Sequence, residues 1–386
     1  MGFDSALWRP TTPDYRSNAL CDVLPSCLSV LGVPGEVDTL GLTAQLEGIE
    51  RIVVLLVDGL GYHLYPRAAE TSKVLADAVA GRRGSLSRLT TGFPSTTPTS
   101  LASLGTGATP GEHGIVGFTV NLPGTDRMFV HIDWHDDPAP DRWQPYPTCF
   151  ERAAAAGVRG HVVDRFTGGL SRAIYRGSVH HRADDMVQAR AGVRAALADA
   201  GPAVVLAYLS EVDRAGHQRG VGSPAWHTEV ARVDELLTGL LADLAPDTAL
   251  LVTADHGMID IPDGSRIRIE DEPKLRDEVR VIGGEPRVRY VYTEPGAADS
   301  VADTWRSVLG ERAEVLTRAE AINAGWLGPV TVDHAARVGD VVVVCRDDYA
   351  VLGAPESDSP HVDVLIGAHG ALTEAEMAVP LWVTRG

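Results

Sequence analysis

Seven side chains with the chemistry of metal ligands or nucleophiles stand at or near the ends of apolar, strand-like runs, or in glycine-rich turns beside them. They are Asp58, Thr97, Asp213, His217, Asp255, His256 and His369. Three carboxylates, three imidazoles and one hydroxyl suit two borderline divalent cations that share one phosphoryl group. The residue types and their placement therefore predict a metallohydrolase.

The hydroxyl of this set belongs to Thr97 in GFPSTTPTSLASLGTG. Pro98 suits the first position of a helix, which makes Thr97 the N-cap of that helix. A capping role alone is one interpretation. The other makes Thr97 a nucleophile, because a helix N-terminus favours developing negative charge and a metal ion lowers the pKa of a hydroxyl.

The remaining candidates have the spacing of metal ligands. Asp255 and His256 follow the apolar run ALLVTA and offer a carboxylate and an imidazole from neighbouring positions. Asp213 and His217 are spaced i, i+4, which can direct both at one ion across a helical turn or compact loop. Asp58 alone would also suit a plain Asp-Gly turn. The joint occurrence of these residues with the histidine of GAHG favours metal binding.

Five apolar runs predict buried parallel strands, at residues 51–59, 161–164, 203–210, 249–255 and 362–368. Helical patterns lie between them, in CFERAAAAG, MVQARAGVRAALADA and WHTEVARVDELLTGLLADL. This alternation predicts an α/β fold, a doubly wound, mostly parallel sheet flanked by helices. Ligand sites in such sheets collect at the carboxyl ends of the strands, where the candidate carboxylates lie.

Two segments interrupt the alternation. Residues 119–147 are rich in Pro, Asp and Trp and predict a loop or small hairpin insertion over the site. Residues 262–345 mix short strands with a helix and predict an inserted, smaller α+β cap. Residues 1–261 and 346–386 would then form the metallohydrolase core.

The composition narrows the class of protein. The chain has 386 residues, 44% of them hydrophobic and 22% charged, which is typical of a folded globular protein. Its net charge of -18 and the absence of a Lys/Arg cluster argue against a nucleic-acid-binding surface. The N-terminal sequence lacks a basic segment followed by an apolar one, and no run approaches the roughly 20 apolar residues of a membrane helix. We therefore expect a cytoplasmic protein without a membrane partner.

Several of these stretches resemble the alkaline phosphatase superfamily, and most of all its nucleotide pyrophosphatase/phosphodiesterase branch. They are VDGLG, FPSTTPTSLASLGTGATPGEHGIVG, YLSEVDRAGHQRG, VTADHGM and GAHG, which follow the family's order over nearly the whole core. The resemblance implies two zinc ions, one bound by Asp213, His217 and His369 and the other by Asp58, Thr97, Asp255 and His256. Manganese or iron can substitute, since carboxylate and imidazole ligands do not exclude them.

The resemblance also implies a reaction. Thr97 would attack phosphorus in a small-molecule phosphate ester, such as a nucleotide, to give a covalent phospho-threonine that water hydrolyses. Thr97 is preferred over Thr96 and Thr99 because it stands nine residues before the last threonine of LGTG. An asparagine that binds the phosphoryl oxygen in the family has no counterpart shortly after Thr97. Ser100 and Thr99 are therefore the candidate substrate-binding residues.

Two alternatives to a phosphodiesterase or nucleotide pyrophosphatase stay open. One is a phosphomonoesterase or phosphonate hydrolase of the same superfamily; the other is a catalytically degenerate protein that binds a phosphate ligand. The complete ligand set argues against degeneration. No Lys or Arg stands in the motifs around Thr97, His256 or His369, which favours a singly charged diester over a dianionic monoester. Arg214 and Arg219, in the motif of His217, are interpreted as solvated.

Overall fold

The computed structural model describes residues 9–354 and 364–386. Within them the strands are β1 Arg51–Val57, β2 Ser85–Thr90, β3 Thr119–Asn121, β4 Met128–Val130, β5 Arg159–Asp164, β6 Val179–Arg182, β7 Ala203–Leu209, β8 Thr248–Thr253, β9 Ile259–Asp260, β10 Arg266–Arg268, β11 Val279–Glu285, β12 Val288–Thr293, β13 Ala313–Thr317, β14 Val341–Cys345, β15 Ala350–Leu352, β16 Gly367–Ala368 and β17 Ala378–Arg385.

The α-helices of the same ranges are α1 Val23–Val30, α2 Leu42–Gln45, α3 Tyr65–Ala68, α4 Lys73–Val79, α5 Thr97–Thr106, α6 Pro110–His113, α7 Pro140–Trp143, α8 Cys149–Ala155, α9 Gly169–Ile174, α10 Met186–Ala196, α11 Glu211–Arg219, α12 Pro224–Asp243, α13 Ala298–Leu309, α14 Arg318–Asn323, α15 Val332–Ala335 and α16 Glu374–Met377. Short 3-10 helices lie at Leu20–Asp22, Tyr62–Leu64, His131–Asp133, Asp263–Ser265, Ile269–Asp271, Pro273–Arg276 and Gly310–Arg312.

The central sheet has the strand order β2-β17-β8-β1-β7-β5-β6. Its strands pair in parallel, except that β17 is antiparallel to both β2 and β8. Strand β1 is an apolar run that is buried from Ile52 to Val57, as expected of a strand covered on both faces. The predicted fold class, a mostly parallel sheet flanked by helices, is confirmed.

The helices that cover the sheet form two packed groups, α4 with α12 and α10, and α1 with α5 and α8. Helix α12 shows how local sequence sets these elements. It begins at Pro224, and the side chain of its N-cap residue, Ser223, accepts the N–H of Trp226 at 3.2 Å. Val233, Leu237 and Leu240 recur at helical spacing and are buried.

The prediction for residues 362–368 was wrong. Only Gly367–Ala368 forms a strand there, and it pairs with β9 outside the central sheet. Val364 and Ile366 are exposed, so the apolar run does not enter the core; residues 362 and 363 lie outside the described ranges. The missing core strand is β17, in which Pro380 pairs with Arg88 of β2 beyond the end of the β8 register. That position tolerates a proline, because no ladder bond to β8 is lost there.

A second, smaller sheet has the antiparallel order β11-β12-β14-β13. One face packs with α13 in its own cluster, which includes Val291 and Trp305 and extends to Val351 and Ala354. The other face contributes Tyr290 to the main core. This mixture of sheet and helix has the character expected for the cap, while the boundaries of residues 262–345 stay a prediction.

Two further features join the periphery to the core. In residues 119–147, β3 and β4 pair as a short hairpin, and Trp134 and Trp143 are buried. On the turn between β11 and β12, Arg287 donates to both oxygens of Glu376 at 3.0 and 2.7 Å, in an ion pair without solvent exposure. In the described part of the chain, no helix combines the length and apolar character that crossing a membrane requires.

Candidate active site

Three neighbouring parallel strands bring the candidate carboxylates together. In the order β8-β1-β7, the carboxyl ends of these strands meet at one edge of the sheet. Asp58 follows β1 directly, Asp255 stands two residues beyond β8, and Asp213 lies in the first turns of α11 after β7. Gly59 has φ of 72°, and a Cβ there would lie 3.0 Å from Asp213 Cα. Glycine therefore permits both the turn after Asp58 and the close approach of α11.

The first ligand group consists of Asp58, Asp255 and His256, which are buried. His256 Nε2 lies 3.5 Å from Asp58 Oδ1 and 3.3 Å from Asp255 Oδ2. Thr97 Oγ1 lies 3.2 Å from the same imidazole nitrogen. One cation of zinc size at this point could contact all four side chains.

The second ligand group consists of Asp213, His217 and His369. Asp213 Oδ1 lies 3.3 Å from His217 Nε2 and 3.7 Å from His369 Nε2. Asp213 and His217 are on successive turns of α11, as their i, i+4 spacing predicts. The two groups are adjacent, because the rings of His256 and His369 stack with centroids 3.5 Å apart.

The histidine tautomers follow from the contacts of the opposite ring nitrogen. The Nδ1 atoms lie within 3.0 Å of backbone carbonyls, those of Gly257 for His256, Gly367 for His217 and Ser95 for His369. A carbonyl accepts only, so each Nδ1 carries the proton and each Nε2 presents a lone pair. His217 Nε2 and His369 Nε2 are thus two acceptors 3.1 Å apart, which a shared cation would stabilise.

The carboxylates of the site also favour bound cations. Asp58 Oδ1, Asp255 Oδ2 and Asp213 Oδ1 are buried and find no hydrogen-bond partner among the described residues. Burial, reinforced by the other carboxylates, raises the pKa of Asp58 and also that of Asp213. Unpaired buried carboxylates are costly, and two divalent cations would neutralise them. The donor set therefore fits two metal ions, one in each group.

The N-cap prediction for Thr97 was wrong by one residue. Thr96 is the N-cap of α5, with extended φ and ψ of -133° and 145°, and Thr97 is the first residue of the helix. Pro98 then takes the second helical position, where an N–H would also lack a partner within the helix. The hydroxyl of Thr97 is consequently not used for capping and contacts His256 instead.

The structure does not bring Ser100 and Thr99 to the cavity. The hydroxyl of Ser100 pairs with that of Thr91 at 2.9 Å, and Thr99 is buried with its hydroxyl unpaired in the described chain. Neither residue is among those that line the cavity, whereas Leu101, one turn after Thr97, is. Thr99, two residues after Thr97, points to a different face of α5, whereas the hydroxyl of Ser100 is paired with Thr91. The substrate-binding assignment of both residues is therefore not carried further.

A cavity of about 590 Å³ opens beside the two groups, and the sequence reasoning missed several of its functional side chains. Tyr208 of β7 donates a hydrogen bond to Asp58 Oδ2. Asp164 ends β5, and burial raises its pKa to about 7. Glu285, at the end of β11, accepts the Thr96 hydroxyl at 3.2 Å, and burial raises its pKa. Asp164 stands at the end of a predicted strand, and that position is a sequence signal for a ligand site. The position of Glu285 depends on how the cap packs against the core, and no sequence pattern indicates it.

The two adjacent ligand groups have the donor set of a site for two metal ions. A family model described as type I phosphodiesterase / nucleotide pyrophosphatase matches residues 52–372. The chain belongs to this family of phosphoric ester hydrolases, within the alkaline phosphatase superfamily, as the sequence motifs predicted.

Solved structures of similar fold include two enzymes. Murine ectonucleotide pyrophosphatase/phosphodiesterase 5 has a TM-score of 0.68 and 19% identity, with 86% of this chain and 87% of that chain covered. An inactive variant of the murine protein was solved in complex with AMP. Phosphonoacetate hydrolase from Sinorhizobium meliloti 1021, in complex with phosphonoformate, has a TM-score of 0.66 and 21% identity, covering 86% and 89%. At these identities the likeness shows the fold alone.

A curated relative matches only a short segment. The catalytic subunit of GPI ethanolamine phosphate transferase 3 from Mus musculus is 36% identical over 55 residues, which are 14% of this chain. The matched segment spans 5% of that protein's length.

Proposed function

We propose that this chain hydrolyses phosphodiester or nucleotide pyrophosphate bonds with two bound divalent cations and with Thr97 as the nucleophile. The observation that carries the proposal is the position of the Thr97 hydroxyl. It lies 3.2 Å from His256 Nε2, at the start of α5 and beside two groups of three ligands each. Asp213, His217 and His369 would hold one cation, and Asp58, Asp255 and His256, with Thr97, the other.

The chemistry then follows from the positions of these side chains. Bound cations supply positive charge to the phosphoryl oxygens and favour the deprotonated hydroxyl. Thr97 Oγ1 forms a bond to phosphorus while the bond from phosphorus to the leaving oxygen breaks, and the hydroxyl proton leaves to solvent. Water next attacks phosphorus, the bond to Thr97 Oγ1 breaks, and a proton released by the attacking water restores the hydroxyl. The N-terminus of α5 adds a positive dipole end beside the reacting group.

The shape of the cavity supports a substrate with organic groups on its phosphate. Its volume of about 590 Å³ lies within the range of small-molecule sites. Apolar side chains form much of its wall, among them Leu101, Phe118, Leu170 and Ile174. A diester places organic groups on both sides of phosphorus, and both groups can pack against such a wall, whereas a monoester has only one.

Zinc is the proposed metal, and manganese or iron can replace it because all three accept carboxylate and imidazole ligands. The cytoplasmic location stays a prediction from the sequence.

The substrate class is tested by comparing two esters at one pH and one metal loading. We expect kcat/KM for bis(4-nitrophenyl) phosphate to exceed that for 4-nitrophenyl phosphate by about tenfold or more, a difference of about 1.4 kcal/mol in transition-state stabilisation. A preference of that size for the monoester would overturn the diesterase assignment. Failure to hydrolyse either ester in the presence of zinc or manganese would contradict the proposed function itself.

A further inference from the structure

Two arginines line the cavity without a direct ion pair to an acidic residue of the described chain. Arg165 directly follows β5, and Arg214 follows the ligand residue Asp213 in α11. Neither guanidinium takes part in a hydrogen bond or ion pair with the described residues; Arg165 lies over the ring of Phe166, with Cζ 5.7 Å from its centroid. A guanidinium stays charged at all relevant pH values, so two positive charges that form no direct hydrogen bond or ion pair in the described chain line the cavity, beside the carboxylates of Asp164 and Asp213.

Several arginines of this acidic chain differ from these two. The protein has 52 Asp and Glu residues against 34 Lys and Arg, and arginines such as Arg88 and Arg190 are paired with carboxylates. Arg88 forms two hydrogen bonds with Glu374, and Arg190 forms two with Asp243. The two cavity arginines are therefore available to a ligand in a way that these surface arginines are not.

The same wall offers further hydrogen-bond donors. Tyr175 is 5% exposed and lines the cavity, and its hydroxyl has no hydrogen-bond partner in the described chain. Ser171, in α9, is also buried and lines the cavity. Carboxyl groups line the cavity as well: those of Asp58, Asp213 and Glu285 lie in or beside the ligand groups, and those of Asp133 and Asp164 lie elsewhere on its wall. Asp164 Oδ1 accepts the N–H of Phe166 at 3.0 Å. The wall formed by residues 164–175 and Arg214 is thus rich in donors that favour an anion.

We propose that Arg165, Arg214 and Tyr175 form a second anion-binding subsite, which holds a further negatively charged group of the substrate. The group would be a phosphate or a carboxylate joined to the reacting phosphorus by a short linker. This inference rests on the proposed function, and it names a substrate class for it: phosphate or phosphonate compounds with two anionic ends. The cations would bind the reacting phosphoryl group, and the two guanidiniums would bind the second anionic group.

The subsite predicts a selective loss of activity. Three substrates separate the possible sources of the second anion: ATP carries distal phosphates, phosphonoacetate carries a carboxylate, and bis(4-nitrophenyl) phosphate carries neither. In the zinc-loaded enzyme, Arg165→Gln and Arg214→Gln should each lower kcat/KM about tenfold more for a doubly anionic compound than for the diester. For a compound that is bound without turnover, the competitive inhibition constant against the diester should rise by the same factor.

A matched control is Arg219→Gln, which removes an exposed guanidinium from the same helix, outside the cavity lining. This substitution should change the ratio of kcat/KM between the doubly anionic compound and the diester by less than about twofold. A loss with ATP alone assigns the subsite to a distal phosphate, and a loss with phosphonoacetate alone assigns it to a carboxylate. Three outcomes would overturn the subsite: equal losses of kcat/KM for all three compounds, no loss for any of them, or no binding of either doubly anionic compound. In each case, hydrolysis of the diester would still support the proposed function. If the wild-type enzyme hydrolyses none of the three compounds, both the subsite and the proposed function are contradicted.

Discussion

Replacing Thr97 by alanine separates the nucleophile from the fold around it. Thr97 is half-buried, is not the N-cap of α5, and makes one side-chain contact within hydrogen-bond range, 3.2 Å to His256 Nε2. Loss of one such hydrogen bond costs about 1 kcal/mol, and alanine recovers a few tenths as a better helix former. We therefore expect the melting temperature to fall by about 2 °C or less in a chain of this size.

The effect on catalysis should be far larger. Removing the nucleophile of a serine hydrolase lowers kcat by on the order of 10⁶, and we expect a loss of at least about 10³ here. The assay is kcat for bis(4-nitrophenyl) phosphate with zinc-loaded protein, together with metal content and melting temperature. Thr97→Ser keeps a hydroxyl at the same position and should retain part of the activity.

Thr99→Val is the matched control. It replaces a hydroxyl that is buried, unpaired among the described residues and absent from the cavity wall, with a methyl group of similar size. It should cost less than about tenfold in kcat. If Thr97→Ala itself stayed within about tenfold of wild type, the nucleophile would have to be Thr96 or water, and the reasoning from geometry would be refuted.

Three further predictions concern metal affinity, pH dependence and stability. Tyr208→Phe removes the donor to Asp58 Oδ2, and zinc affinity measured by competition with a chelator should fall about 10- to 100-fold; an unchanged affinity would contradict this role. Burial raises the pKa of Asp164 to about 7, above the value of about 3.9 in an unfolded chain, so its contribution to stability is present at low pH and lost as pH rises from about 4 to about 7. Urea unfolding should show Asp164→Asn gaining roughly 2–4 kcal/mol over wild type across that window, and a constant difference would refute the shift. Arg287→Met leaves Glu376 as an unpaired buried charge and should cost about 3–5 kcal/mol in the free energy of unfolding, whereas Arg287→Met combined with Glu376→Leu should recover most of it; equal losses would show that the ion pair itself is not the cause.

The part of the site on the central sheet was predictable from sequence. Asp58 and Asp255 follow strands that are continuous apolar runs, and such runs mark buried parallel strands whose carboxyl ends meet. Asp213 and His217 share one helix, so their spacing alone set their geometry. Local sequence was sufficient wherever a residue's position depended on its own element.

Positions that depend on distant packing were not predictable. His369 follows a two-residue strand rather than a core strand, because β17 takes the place in the sheet next to β8. Glu285 and Arg165 reach the cavity through the fold of the cap and the loop after β5, which no periodicity records. The N-cap of α5 was missed by one residue, because Pro98 is compatible with either of the first two helical positions.

The metal content of the protein tests the central claim most directly. Protein purified without chelator and then equilibrated with zinc should contain about two equivalents of divalent metal per chain by elemental analysis, one for each ligand group. His369→Ala removes a donor from one group only, so it should retain about one equivalent while activity is lost. Well under one equivalent in the wild-type protein, with no activity gained on adding zinc or manganese, would contradict the two-metal account.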